Sequence, residues 1–155
     1  MPVVRGKDFK LYADTGTTPG TPVWTELTNC RDVTRNLEKA LADASTRLSD
    51  YRQQVGTLKE LSLDFQIVYD PEDELFQLLA DHFDSDANLM LLDLAGSITV
   101  VGTKGLQFDA QITKFGVSEA LEDVGLVDVT AVVAYSDFVP THVSVSVSGT
   151  VTPVA

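Results

Sequence analysis

The stretch from Leu58 to Phe83 reads as a strand running straight into a helix, a unit that no chain can use without a second layer to cover it. Leu61, Leu63, Phe65, Ile67 and Tyr69 alternate with Glu60, Ser62, Asp64 and Gln66. A period of two puts the first set on one face of a pleated strand and the second on the other. Asp70-Pro71 ends the strand, because proline offers no N–H to a ladder and its fixed φ suits a helix start. Glu72, Asp73 and Glu74 fall in the expected first helical turn, where carboxylates complement the helix dipole. Leu75, Phe76, Leu78, Leu79 and Phe83 follow at spacings of three and four, one apolar stripe. The strand face and the helix stripe are the candidate core.

Charge is distributed unevenly. Residues 1–59 carry nine Lys/Arg against seven Asp/Glu, a net of +2. Residues 60–155 carry only Lys104 and Lys114 against sixteen acids, a net of −14, and the two parts give the total of −12. So acidic a surface repels phosphate backbones and disfavours ordinary nucleic-acid binding. It is either a solvated face or one half of a self-association in which the mildly basic part of one copy meets the acidic part of another. At 155 residues, 44% of them hydrophobic, one domain with a real core is expected. The first residues show no apolar signal segment, no apolar run is long enough to cross a bilayer, and the single Cys30 excludes an internal disulfide. A soluble protein made in a cytoplasm is expected.

In chain order the pattern is that of an antiparallel β protein with one helix. Lys7 to Ala13 is a first strand, Thr15 to Pro22 a turn-rich loop, and Val23 to Leu27 a short second strand. Arg31 to Leu41 alternates with polar residues on both sides, as an edge or interface strand does. Residues 42–56 hold few apolar side chains and no clean period, although Leu41 to Leu48 also admits a helical turn. A loop this long in a compact domain is functional or orders on binding, and Arg47, Tyr51 and Arg52 are residue types that contact surfaces favour. Asp84 to Asn88 is an acidic turn, Asn88 to Leu94 a buried strand, and Ser97 to Val101 a possible short one. Leu106, Phe108, Ala110 and Ile112 alternate with Gln107, Asp109, Gln111 and Thr113, then the phase slips to Phe115 and Val117, which predicts a bulge near Thr113-Lys114. A turn over 119–125 leads to a return strand, Val127 to Tyr135. His142 to Thr152 alternates Val with Ser and Thr and carries no guarding charge, an unprotected strand at a chain end.

No catalytic constellation appears. His82 and His142 stand alone, and Cys30 has no basic helper beyond Arg31, so a half-buried inert thiol is expected. Asp84 to Asn88 imitates the first ligands of a calcium loop, but Leu89 and Ala95 stand where glycine and glutamate are needed. Gly102-Thr103-Lys104-Gly105 lacks the spacing of a phosphate cradle. The expectation is a protein without cofactor or metal, and not an enzyme.

Taken together, Gly6 to Tyr12, Trp24 to Leu27 leading into Asn29 to Glu38, Leu58 to Phe65 before the Asp-Pro break, Gly105 to Phe115, Ser118 to Glu122 and Val127 to Tyr135 form an ordered set. Over residues 5–137 this set resembles the major tail tube proteins of long, non-contractile phage tails. The resemblance implies a mainly β fold with one flanking α-helix, an antiparallel β-sandwich or half-barrel of the tail tube type. It implies a tail-tube-like β domain over 1–137 with its long loop at 42–56; the Val/Ser-rich residues 138–155 lie outside the resemblance and are expected to form an extended C-terminal arm. It implies hexameric rings stacked into a hollow tube that passes DNA without specific binding, in a virion tail made in the host cytoplasm. The implied partners are other copies of the chain and tape-measure, tail-tip and terminator proteins, with no membrane. The loop would reach the adjacent ring through Arg47, Tyr51 and Arg52. Tube lumens in that family tend to be acidic, and like charge keeps DNA sliding rather than adhering. Alternation then nominates Glu60, Ser62, Asp64 and Gln66, with Gln107, Asp109 and Gln111, for the wall.

Two other readings compete. A small monomeric β-barrel could hold an apolar ligand between sheet and helix, but leaves the long loop without a role. The inner tube of a related secretion or injection system is a neighbour of the tail tube itself. The tail tube accounts for more of the pattern: the two-faced strand, the loop, the charge split and the lack of a site.

Overall fold

The computed structural model describes residues 3–16, 22–119, 121 and 124–154. A 3-10 turn, Gly6–Asp8, leads into β1 (Lys10–Asp14) and β2 (Trp24–Glu26). Two long strands follow, β3 (Cys30–Asp43) and β4 (Gln54–Val68), then the helix α1 (Glu74–Ser85). The remaining strands are β5 (Leu89–Leu94), β6 (Lys104–Ser118), β7 (Leu126–Val133), β8 (Thr141–Val147) and β9 (Thr150–Pro153). All pairings are antiparallel in one sheet of order β2-β1-β5-β6-β7-β4-β3, with β8 beside β6 and β9 beside β8.

The organising strand behaves as its alternation dictates. Leu61, Leu63, Phe65 and Ile67 are buried, and they meet Phe108, Ala110 and Ile112 of β6, Val127, Val129 and Ala131 of β7, and Leu75 and Leu79 of α1. Full burial of one such side chain is worth roughly 1.5–3 kcal/mol, so this shared core dominates the stability. Phe115, past the bulge, carries the helix: Phe76 meets it edge-on at 5.4 Å and Phe83 stacks on it at 6.3 Å. The bulge falls between Ile112 and Lys114, where the slip of apolar phase placed it.

A second, smaller core lies on the opposite face. Tyr12, Leu92 and Leu94 of β1 and β5 pack with Ile98 and with Val143 and Val145 of β8. Leu11, Tyr12 and Ala13 are consecutive and all buried because β1 is covered on both faces.

Several expectations need correction. The first strand begins at Lys10, because Asp8 N–H bonds to Arg5 O and Phe9 N–H to Gly6 O in a turn that leaves Phe9 exposed. The helix begins at Glu74, with Asp73 as its cap and Glu72 outside it. Tyr69 and Tyr135 lie beyond the ends of their strands and are exposed, although Tyr69 still meets Phe76 edge-on at 5.1 Å. Ser97 to Val101 is a run of turns, with Ile98 N–H held by the buried Tyr12 hydroxyl at 3.1 Å. The loop expected over 42–56 shortens to 44–53, because Ala42 pairs with Val55 and Asp43 with Gln54. The C-terminal residues do not extend away as an arm. They fold as the β8–β9 hairpin, which reverses near Gly149 at φ 84 and seals the second core. The loop expected over 15–22 and the turn over 119–125, with the Ser118 to Glu122 segment, fall partly outside the described residues.

Candidate assembly surfaces

Register links the polar positions across four strands. Gln111 of β6 lies beside Val132 of β7, which lies beside Ser62 of β4 and then Asn36 of β3. The next rung is Lys114, Thr130, Asp64 and Thr34, and the next Gly116, Asp128, Gln66 and Arg31. These residues form one face, opposite the main core. Thr130 Oγ1 donates to Asp64 Oδ1 at 2.7 Å, Asn36 Nδ2 donates to Asp64 Oδ2 at 3.2 Å, and Gln66 Nε2 donates to Asp128 Oδ1 at 2.8 Å. Gln111 Nε2 donates to Asp86 O at 2.9 Å. The face is thus a wired polar surface with side chains held in place, and its hydrogen-bonded carboxylates are oriented rather than free to sweep.

Of the sequence-nominated wall residues, Glu60, Ser62, Asp64, Gln66 and Gln111 share this face. Gln107 and Asp109 stand on the same side of β6 but past the end of β7, where Gln107 pairs with Thr141 of β8 and Asp109 O accepts the Ala134 N–H. The pattern missed Asn36, Asp128 and Thr130 as members. Asp128 and Thr130 alternate with Val127, Val129 and Ala131 and were available to the same argument. Lys114 was not, because the bulge shifts its phase.

The second feature is the β3–β4 hairpin. Ser62 is the last β4 residue paired with β7, and β3 pairs only with β4, so residues 37–43 and 54–61 form a two-stranded ribbon beyond the sheet. From Ser62 to Gln54 it extends about 27 Å at ~3.4 Å per residue. Such a ribbon is marginal in water unless something packs on it. At its tip Leu48 is 97% and Tyr51 82% exposed, Arg47 is exposed, and Arg52 makes only a loose contact with Asp43 at 3.9 Å. Ser45 N–H and its hydroxyl hold Asp43 below the usual carboxylate range. The three nominated contact residues therefore sit together at the free end.

The sheet also has unpaired edges. Among the described residues, β3 offers its outer backbone edge, and β6 beyond Ala110 has no strand on its β5 side. Exposed edges of this length are either covered or used for pairing with another chain.

Two clefts, of about 740 and 750 Å³, flank β3. The first runs between β3 and β1, past Phe9, Glu26, Cys30 and Arg35; the second lies at the ribbon's base, past Leu37, Glu60, Val139 and His142. Neither is lined by α1, and the space between helix and sheet is filled by Leu75, Leu79 and Phe108, which argues against an apolar ligand held there. Burial, with Asp93 and Asp32 nearby, pushes the Cys30 thiol up to about 12, too high for a nucleophile. Asp84 to Asp86 ends α1, with Asp86 at φ 59 in the left-handed cap, so the calcium-like run is a helix stop. His82 Nδ1 sits 3.0 Å from Ala87 O in the same corner.

No protein-family model and no curated protein matches this chain. Solved structures do. A chain of the SPP1 tail tube, solved by solid-state NMR and cryo-EM, superposes with a TM-score of 0.75 at 9% identity, covering 95% of this chain and 82% of that one. A chain from the tail of an empty gene transfer agent particle with C6 symmetry gives 0.66 at 15% identity, covering 85% and 95%. A chain from the six-fold symmetrised baseplate of the anti-feeding prophage gives 0.57 at 13%, covering 94% and 97%. At these identities the likeness is one of fold, and the fold is the tail tube fold.

Proposed function

We propose that this chain is the structural subunit of a phage-type tail tube, assembling into six-membered rings that stack into a hollow conduit for DNA. The observation that carries the proposal is the match over 95% of the chain to a tail tube chain; the ribbon and the wired polar face support the same reading. The C6 symmetry of a second matching assembly supports rings of six.

In this reading the free β3 edge of one subunit and the free β6 edge of the next close a ring, which disposes of both aggregation-prone edges at once. The polar face of β6, β7, β4 and β3 then lines the channel, with Glu60, Asp64, Gln66 and Gln111 on the wall and Gln107 and Asp109 beside them. A wall of oriented carboxylates and amides repels the DNA backbone while staying hydrated, which suits passage without binding. The ribbon, with Arg47, Tyr51 and Arg52 at its tip, reaches the neighbouring ring. The protein acts by assembly and not by catalysis, and its place is the virion tail, between tip and terminator proteins and around a tape measure. The baseplate match supports an injection-device tube as a second reading, with a lower TM-score.

Negative-stain microscopy of concentrated protein, with its mass measured in dilute solution, tests the proposal. Hollow tubes or six-membered rings are expected. A protein that stays monomeric at every concentration, even with preformed tube ends added as seeds, overturns it.

A further inference from the structure

The ribbon carries a pattern that the fold alone does not require. Glu38 pairs directly with Glu60 on one face, and Lys39 directly with Lys59 on the other. Like charges on opposed positions of a two-stranded pair repel. All four residues are exposed, and none makes an ion pair among the described residues. The Lys39 stem lies across bare Gly56, where an added Cβ would stand 2.6 Å from Lys39 Cδ. Glycine there leaves room for the Lys39 stem to lean toward the ribbon tip. Leu37 and Leu41, on the same face, are 55% and 58% exposed. The result is an apolar and cationic face left largely exposed among the described residues.

The Glu38–Glu60 face continues the polar face proposed above as the channel wall, where unpaired negative charge has a use. The lysine face must then point away from the channel, toward protein. We propose that it docks on the outer stripe of α1 in a second copy, with the Lys39 and Lys59 ammonium groups meeting Glu74 and Asp81. No Lys or Arg occurs from Glu60 to Thr103, so the α1 region is the strongly acidic part of the chain. Glu74 and Asp81 are exposed and, among the described residues, have no ion-pair partner. Seven residues apart on a helix, they lie about two turns or 10.5 Å apart on one stripe, within reach of the two long lysine side chains of a single rung. Half-buried Leu78 lies beside that stripe and gives Leu37 and Leu41 an apolar partner. The contact is complementary in charge and balanced, two cations to two anions. It rests on the tube proposal and specifies which surface of the next copy receives the ribbon.

A charge swap tests it. Lys39→Glu with Lys59→Glu, and separately Glu74→Lys with Asp81→Lys, are each expected to raise the protein concentration needed for tubes by about tenfold or more, because like charges then face each other. Circular dichroism and thermal melting confirm that each variant is folded. The four-residue combination restores the opposite-charge contact and is expected to recover assembly to near the wild-type concentration. Tubes from either double variant at the wild-type concentration overturn the docking, as does a folded combination that fails to recover. Failure of the wild type to associate at all removes the tube proposal itself. Wild-type tubes with indifferent variants remove only this contact.

Discussion

The Arg35 guanidinium lies 3.3 Å from the Asp93 carboxylate although their strands, β3 and β5, stand four places apart in the sheet order. Only a sheet curled on itself brings them together. The pair therefore closes a half-barrel whose two edge strands share no ladder. Arg35 is 30% exposed and Asp93 7%, so the carboxylate carries most of the desolvation. Burial raises its pKa above the ordinary 3.8, and the Arg35 charge recovers only part of that shift.

A pH dependence follows from this pair. Between 3.8 and the higher folded-state value, the native protein keeps a proton that the unfolded chain has released, so stability falls as pH rises through that window. Asp93→Asn keeps a polar partner for Arg35 and is expected to flatten the dependence. Arg35→Ala leaves the carboxylate buried without its cation, which should cost about 1–3 kcal/mol at neutral pH and steepen the dependence. Melting temperatures of the three proteins from pH 3.5 to 7.5 check both; parallel curves would show that Asp93 is not the group responsible.

Asp73 joins two elements. Its carboxylate accepts the Leu75 N–H at 3.2 Å as the helix cap and the Asn29 side-chain amide at 2.8 Å from the turn before β3. Asp73→Ala is expected to cost about 1–2 kcal/mol, and Asp73→Asn much less, since the amide oxygen still caps. Chemical denaturation of Asp73→Ala, Asn29→Ala and the double variant should give non-additive losses, because both singles remove the same bond.

Two glycines separate steric from conformational cost. A Cβ on Gly105 would fall against the Asp93 carbonyl of the neighbouring β5, so Gly105→Ala forces the two strands apart. Gly149 has nothing within 4 Å but sits at φ 84. Gly149→Ala should cost about 1–2 kcal/mol from strain alone. Gly105→Ala should exceed about 3 kcal/mol or leave no folded protein, because it opens the sheet between both cores.

The strands with one buried face were legible, since a period of two says which residues go in. The helix was legible too, though its stripe buries only Leu75 and Leu79, half-buries Phe76 and Leu78, and leaves Phe83 exposed where it stacks on Phe115. Three things were not. Consecutive burial of Leu11, Tyr12 and Ala13 has no period, because β1 is covered on both sides. The β8–β9 turn lies within Val/Ser alternation that runs on without an obvious stop, and Gly149 alone marks it. The outer end of the ribbon, 42–43 and 54–56, reads as loop because its residues face solvent on both sides, and exposure removes the apolar alternation by which a strand is recognised. The polar face was half legible: β4 announced it, but its continuity across β3, β7 and β6 depends on register and on a bulge.

The ribbon tip offers the last prediction. Residues 44–53 are bounded by the Asp43–Gln54 pair and carry Arg47 and Arg52, both accessible to trypsin. Free protein should be cut there first, since an exposed loop at the end of an unsupported ribbon yields readily to a protease. Tubes should be resistant at the same two bonds, and equal cleavage in both states would remove the tip from the assembly contact. Replacing Arg47 and Arg52 by Glu separates charge from shape. The one ion pair lost among the described residues, to Asp43 at 3.9 Å, is solvent-exposed and screened, so the folded monomer should melt close to the wild type. Under the proposed stacking, assembly against an acidic neighbour should fail, because two attractive contacts per subunit would become repulsive and the effect would repeat around every ring. Sedimentation of the variant at the concentration where the wild type forms tubes decides the point, and normal tubes would mean that the tip meets its neighbour through Leu48 and Tyr51 rather than through charge.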